Sequence, residues 1–338
     1  MFKKHVVIVG PVTIDDVVQG KGRERKLGGV TTYAGLTFTR HGMDVSVVSN
    51  VAPQDETILQ RLYTEDISIS LGTSRHTTRF VHYPHGDDRR QELPRIADPI
   101  EYTQIINHLT PDSLLHLGPL YPTDIARDVF RQLRRSEVFI SLDLQGYVRS
   151  RKHYRVHPVV SKYLPEALAV SNIVKAAHEE LELILHLYGM TLPVFMKNYN
   201  IQEMVITSGS HGGVVRNWAG QEIHYQAPQV CAVVDSTGAG DVFFAAYLTH
   251  RFFHLRSISD SAVLAARVAA RHIEGRYILP HQLILRCHVP QFPPFVKGRK
   301  TFPYLCDLTP RPPSLQGKGG TNSPRLAGEG LGERSNVT

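Results

Sequence analysis

The chain has 338 residues, enough for two domains or for one large α/β domain. Apolar residues make up 42% and charged residues 20%, no apolar run reaches the ~18–20 residues of a membrane-spanning helix, and three scattered cysteines (Cys231, Cys287, Cys306) build neither a disulfide framework nor a zinc site. Transmembrane, collagenous, disulfide-rich and mostly disordered classes are thereby excluded, a cytoplasmic protein is expected, and the net charge of +7 argues little for nucleic acid, because +4 of it lies on residues 291–338 and the body is near neutral.

In chain order, Val6-Val7-Ile8-Val9 reads as a buried strand, 12–27 as a short polar and partly strand-like stretch, and Thr31 to His41 as a helix. Residues 45–48 form the next strand. Residues 77–93 read as two short strands around a polar Pro-His-Gly-Asp-Asp turn, a pattern that often makes a flap over a site. Strands follow at 114–118, 138–142, 169–174 and 204–207. Between them, helical spacing recurs at Ile125, Val129, Phe130 and Leu133 and around 178–188. A hairpin at the edge of the fold is expected over 213–226, and an Ala-rich helix from Ala262 to Ile273. Such alternation implies βαβ units, a parallel sheet and helices on both faces. After about residue 290 the pattern stops. Residues 291–338 hold seven prolines and seven glycines without hydrophobic period, a composition that cannot offset its own ordering entropy, so this extension is expected to be disordered. No P-loop spacing occurs in the chain.

The densest chemical signal is Val234-Asp235-Ser236-Thr237-Gly238-Ala239-Gly240-Asp241, where a strand is expected to enter and an apolar helix to begin. Small residues at 238–240 let a ligand approach the backbone, and the first amides of a helix lack intrahelical partners. Together with the helix dipole they favour an anion, and a carboxylate at Asp241 could take a proton from an attacking hydroxyl. The same residues would serve a plain capped turn, with Asp235 capping and Asp241 favouring the dipole.

This segment resembles the D-[ST]-x-G-A-G-D signature of the PfkB-type, or ribokinase-like, carbohydrate kinases, and other segments agree in order and spacing over residues 5–285. Gly28-Gly29, with Tyr33 where the family often has Asn, resembles the motif that opens a helix over the acceptor. Gly10-Pro11-Val12-Thr13-Ile14-Asp15 resembles the first-strand pattern whose Asp binds substrate hydroxyls, with Asp16 the next choice. Residues 77–93 resemble the family's lid, and Thr207-Ser208-Gly209-Ser210-His211-Gly212 its nucleotide loop. Glu180 matches the Glu of an N-x-x-E motif, although Ala177 stands in place of the Asn, and Gln145 replaces an Asn in the segment after Asp143.

The resemblance implies a three-layer α/β/α sandwich with a mostly parallel central sheet and a small β lid. The kinase domain would span 1–290, with lid segments at about 12–27 and 77–93. It implies ATP and Mg2+ as cofactors and a sugar, polyol or nucleoside as acceptor, with no nucleic-acid or membrane partner, in a monomer or homodimer. Asp241 would be the general base and Gly238, Ala239 and Gly240 the anion hole. Asp15, Gly28, Gly29 and Tyr33 would face the acceptor. Thr207, Gly209, Gly212, Asp235 and Thr237 would hold the nucleotide, and Glu180 would serve the metal. Two rivals stand beside it: a kinase-like binding module that has lost catalysis, favoured by Tyr33, Ala177 and Gln145, and a dinucleotide-dependent oxidoreductase, which the Gly10-Pro11-Val12 turn disfavours.

Overall fold

The computed structural model describes residues 4–20, 22–83 and 90–285. The polar turn of the expected flap and the whole Pro/Gly-rich extension, with Cys287 and Cys306, lie outside the described residues. Among the described residues, fifteen strands form two sheets. They are β1 (His5–Val9), β2 (Thr13–Gln19), β3 (Gly22–Gly28), β4 (Asp44–Val51), β5 (Ser68–Thr73), β6 (Thr78–Tyr83), β7 (Arg90–Arg95), β8 (Leu114–Leu117), β9 (Phe139–Asp143), β10 (Arg149–Lys152), β11 (Arg155–Pro158), β12 (Ile173–Ala177), β13 (Glu203–Thr207), β14 (Gly213–Asn217) and β15 (Glu222–Tyr225).

The larger sheet has the order β15-β14-β13-β12-β9-β8-β1-β4-β5. Its members from β13 to β5 run parallel, and β14 and β15 close one edge as an antiparallel hairpin. Strand β1 explains why the sheet is covered twice. Val6 and Ile8 enter the core beneath the helices Val30–Arg40, Ala239–Leu248 and Ile258–Ile273, while Val7 and Val9 enter the opposite core. That second core is closed by the helices Arg127–Leu133, Leu164–Leu168, His178–Tyr188 and Leu192–Asn198. Side chains alternate along a strand, so a run that is apolar at every position must be buried on both faces. The result is three layers, as expected. Among the described residues, no helix is long and apolar enough to cross a membrane.

Two expected strands are displaced. The strand expected over 169–174 begins at Ile173, because Ser171 closes a turn onto the Leu168 carbonyl and the Asn172 side chain accepts from the Ile140 amide at 2.8 Å. The strand expected before Asp235 does not form. The sheet position beside β13 is taken by the β14–β15 hairpin, and the Val234 and Asp235 amides both bond to the Ile273 carbonyl at the end of a helix.

The smaller sheet runs β10-β11-β7-β6-β2-β3. It contains both expected flap segments and one hairpin, β10–β11, that sequence reading did not anticipate. Asp16 on β2 pins three of its strands: it accepts from Arg23 and Arg25 of β3 at 2.9 and 3.0 Å and from Arg79 of β6 at 2.6 Å. Burial alone would raise its pKa, but these guanidiniums hold the carboxyl below its usual value. A carboxyl so depressed stabilises the fold above its unfolded pKa and loses that contribution as pH falls through the folded one. Asp16→Asn leaves three cations without their shared partner. We expect a loss of about 2–3 kcal/mol, below the full figure for a buried pair because the arginines are partly hydrated. Thermal denaturation at pH 7 checks this, and the gap between variant and wild type should narrow below pH 4.

Candidate active site

The chain leaves β1 toward β4 on one side, while β8 lies on the other. Strand order therefore reverses at β1, and ligands of open α/β sheets bind outside the carboxyl ends of the strands at such a point. Gly10 and Gly118, which follow β1 and β8, touch there: a Cβ on Gly10 would lie 2.4 Å from the Gly118 carbonyl oxygen. Above them opens a cavity of about 710 Å³, roofed by the smaller sheet and floored by the turn before the Ala239–Leu248 helix.

Asp15 lines this cavity from β2. Thr13 Oγ1 donates to its Oδ1 at 2.6 Å, and His82 Nε2 on β6 lies 3.5 Å from its Oδ2. Gly28 is glycine for this carboxylate's sake, since a Cβ there would lie 2.1 Å from Asp15 Oδ2. Asp16 points to the other face of β2 and is spent on its arginines, so of the two only Asp15 lines the cavity. Gly29 caps the Val30–Arg40 helix at φ +91° with its Cα against the Pro11 carbonyl. Tyr33, one turn into that helix, is buried and presses its ring beneath Gly238.

The opposite wall is the signature turn. Asp235 Oδ1 accepts from the Thr237 amide at 2.9 Å, and Lys26 Nζ lies 3.2 Å from its Oδ2. Against burial, the amide and the lysine hold this carboxyl low. Gly238 takes φ +74° and caps the Ala239–Leu248 helix. The Ala239 amide turns back to the Ser236 carbonyl at 3.3 Å, while the Gly240 and Asp241 amides stand in the first turn of the helix.

Asp241 meets the cavity between charges of both signs. Burial first, and then Asp143, push its carboxyl up to about 7, against the pull of Lys175 and Arg149. Lys175 was not among the expected site residues. It stands on β12 almost fully buried, donates to Asp143 Oδ2 at 2.6 Å, and lies about one atom's breadth under Gly240, where a Cβ would be 3.0 Å from Nζ. Burial works against its charge, but Asp143 keeps it an ammonium. A lone lysine within Ile173-Val174-Lys175-Ala176-Ala177 is the signal that could have marked it. Arg149 and Gln145 also line the cavity.

The remaining expected residues stand apart. Thr207 ends β13 beside Ala177 at the end of β12, Gly209 and Gly212 follow it, and none of the three lines this cavity or its neighbour. Glu180 uses Oε2 to accept from the Ala177 amide at 2.8 Å, and burial raises its pKa. It faces an adjoining cavity of about 460 Å³. Among the described residues no cluster of three or more His, Cys, Asp or Glu could hold a metal by itself.

Residues 143–277, from Asp143 through the whole signature turn, match the model of the pfkB family carbohydrate kinases. The chain is 38% identical over 91 residues to a fructokinase of Escherichia coli, a match that covers 25% of this chain and 28% of that enzyme's length. Its structure resembles a pyrophosphate-dependent kinase in the ribokinase family with a TM-score of 0.70, at 21% identity over 80% of this chain and 95% of the other. It also resembles the fructokinase of Xylella fastidiosa solved with bound ATP (TM-score 0.65, 18% identity, 80% and 92% covered). The nucleoside kinase of Methanocaldococcus jannaschii gives 0.64 at 16% identity, with 82% and 95% covered. At these identities the likeness establishes the fold, which is the ribokinase-like one.

Proposed function

We propose a reaction for a chain that belongs, by its fold and by residues 143–277, to the pfkB family of carbohydrate kinases: transfer of a phosphoryl group from a phosphoanhydride donor to a hydroxyl of a sugar, polyol or nucleoside. The observation that carries it is the meeting of Asp15 and Asp241 across one cavity, at the mouth of a helix N-terminus and above a buried Lys175–Asp143 pair. In this reading Asp15 accepts hydrogen bonds from acceptor hydroxyls and Asp241 takes the proton of the attacking one. Its raised pKa suits that task, since a base works best near the ambient pH. The Gly240 and Asp241 amides face the transferring phosphoryl group, and Lys175 adds a fixed cation beneath it. Such chemistry is mostly alignment and charge neutralisation. The roof of the smaller sheet keeps water from the donor.

ATP is the donor the sequence motifs imply, and the Xylella fructokinase was solved with it. Pyrophosphate is the donor of the ribokinase-family kinase compared above and is the alternative for this chain. Mg2+ fits either donor: it is held mainly by waters and donor phosphates with one or two carboxylates, and Glu180 at the start of the His178–Tyr188 helix would serve as one. It would neutralise donor charge.

The test is acceptor-dependent product formation with Mg2+, ATP or pyrophosphate, and a panel of sugars, polyols and nucleosides. Phosphorylated product with one class of acceptor supports the reading and identifies the class. Tight nucleotide or sugar binding without product from any acceptor would favour the binding module instead.

A further inference from the structure

The cavity of about 460 Å³ beside the active site enters the reading above only through Glu180. It lies between the β10–β11 hairpin and the start of the His178–Tyr188 helix. Arg90, Gln91 and Arg149 line both cavities, so the two meet across Arg149. Its polar wall is Arg90, Arg149, Arg155 and His157 against Glu179 and Glu180. Arg149 and Arg155 have no ion-pair partner among the described residues. Arg149 is held instead by the Leu120 carbonyl at 3.4 Å and by the Phe80 ring at 5.7 Å, while the carboxylates of Glu180, Asp143, Asp241 and Asp124 act on it from beyond ion-pair distance. Its apolar wall is Val148, Val156, Pro158 and Leu183, and among the described residues that line it there is no aromatic ring on which a base could stack.

Resting on the kinase reading, we infer that this cavity is the donor's leaving-group subsite and that it takes an inorganic phosphoanhydride, pyrophosphate, rather than a nucleotide. Guanidiniums bind phosphate through paired N–H donors, and two that no carboxylate pairs directly, beside a transfer site, fit a compact polyanion. The loop Thr207–Gly212, which the sequence motifs give to a nucleotide, lines neither cavity. In the step itself the acceptor oxygen bonds to the phosphorus beside Gly240, and its proton passes to Asp241. The bond from that phosphorus to the bridging oxygen breaks with its electron pair on the leaving orthophosphate, which stays among Arg149, Arg155 and His157.

The test uses the full chain with Mg2+ and the acceptor panel, with pyrophosphate and ATP compared as donors for wild type, Arg155→Ala and Arg155→Lys. Arg155 lies at the exposed rim, so its loss leaves the cores intact. We expect kcat/KM for pyrophosphate to exceed that for ATP by about tenfold or more. Arg155→Ala should raise the KM for pyrophosphate about tenfold and leave the acceptor KM within twofold, with partial rescue in Arg155→Lys, which restores charge but not the fork. Preference for ATP, or a pyrophosphate KM unmoved in Arg155→Ala, overturns this inference and leaves the kinase reading standing. Transfer from neither donor overturns both.

Discussion

Asp241→Asn is expected to lower kcat by about 10²–10⁴, the usual weight of a general base, while the KM of donor and acceptor stay within about twofold. The substitution keeps the shape of the side chain and its place in the first turn of the Ala239–Leu248 helix. What it removes is the capacity to accept a proton. The wild-type pH profile carries a second signature. The carboxyl titrates near 7, raised by burial and by Asp143, and only its ionised form is the base. Turnover should therefore be flat above about pH 7 and fall tenfold per unit below it. The residual activity of Asp241→Asn should lack that limb. Near wild-type turnover in the variant would remove Asp241 from this role, whatever the substrate.

Gly238→Ala is expected to be as damaging for a different reason. At φ +74° a residue with a Cβ is strained, at about 1–2 kcal/mol. The added methyl would also lie 2.2 Å from Cγ of Tyr33, whose buried ring has the His272 ring edge-on at 5.5 Å and cannot retreat freely. With overpacking at about 1–3 kcal/mol, the sum is a loss of about 2–5 kcal/mol and a displaced turn. Melting temperature and kcat should fall together. The double variant Gly238→Ala with Tyr33→Ala should be less destabilised than the sum of the two single changes, because the overlap is relieved, without regaining turnover, because the φ strain persists. A Gly238→Ala protein as stable and active as wild type would mean that the turn is not held as described.

The same contact explains why Tyr33 was hard to place from sequence. An Asn faces the acceptor in many relatives by the resemblance, and the tyrosine here reads as a lost contact. Its ring in fact supports the turn that carries Asp241. Lys175 escaped notice because a lysine in a short strand reads as the solvent face. Its burial depends on Asp143, 32 positions earlier and one strand over, a pairing no local pattern carries. The β10–β11 hairpin was missed for want of any apolar alternation: Arg149-Ser150-Arg151-Lys152 and Arg155-Val156-His157-Pro158 pair through backbone at the edge of the smaller sheet. By contrast β1, β4, β8 and β13, and the helices on both faces, were legible, because runs buried on two sides and amphipathic stripes leave strong local signatures. Asp15, Gly28 and Gly29 were legible as a motif. Why two glycines adjoin became plain only when one was seen to clear the Asp15 carboxylate and the other the Pro11 carbonyl.

Asp15 and Asp16 are neighbours on β2, and strand geometry sends them to opposite faces, one into the cavity and the other into a knot of three arginines. A slip of one residue in the pairing of β2 would exchange them, turning the cavity's carboxylate toward the guanidiniums and leaving the arginines' counter-ion in the cavity. The knot thus works as an index pin: the smaller sheet has one register that keeps Asp15 in the cavity. A movement of this sheet that kept the knot would be a swing of the sheet as a unit rather than a slide along its strands.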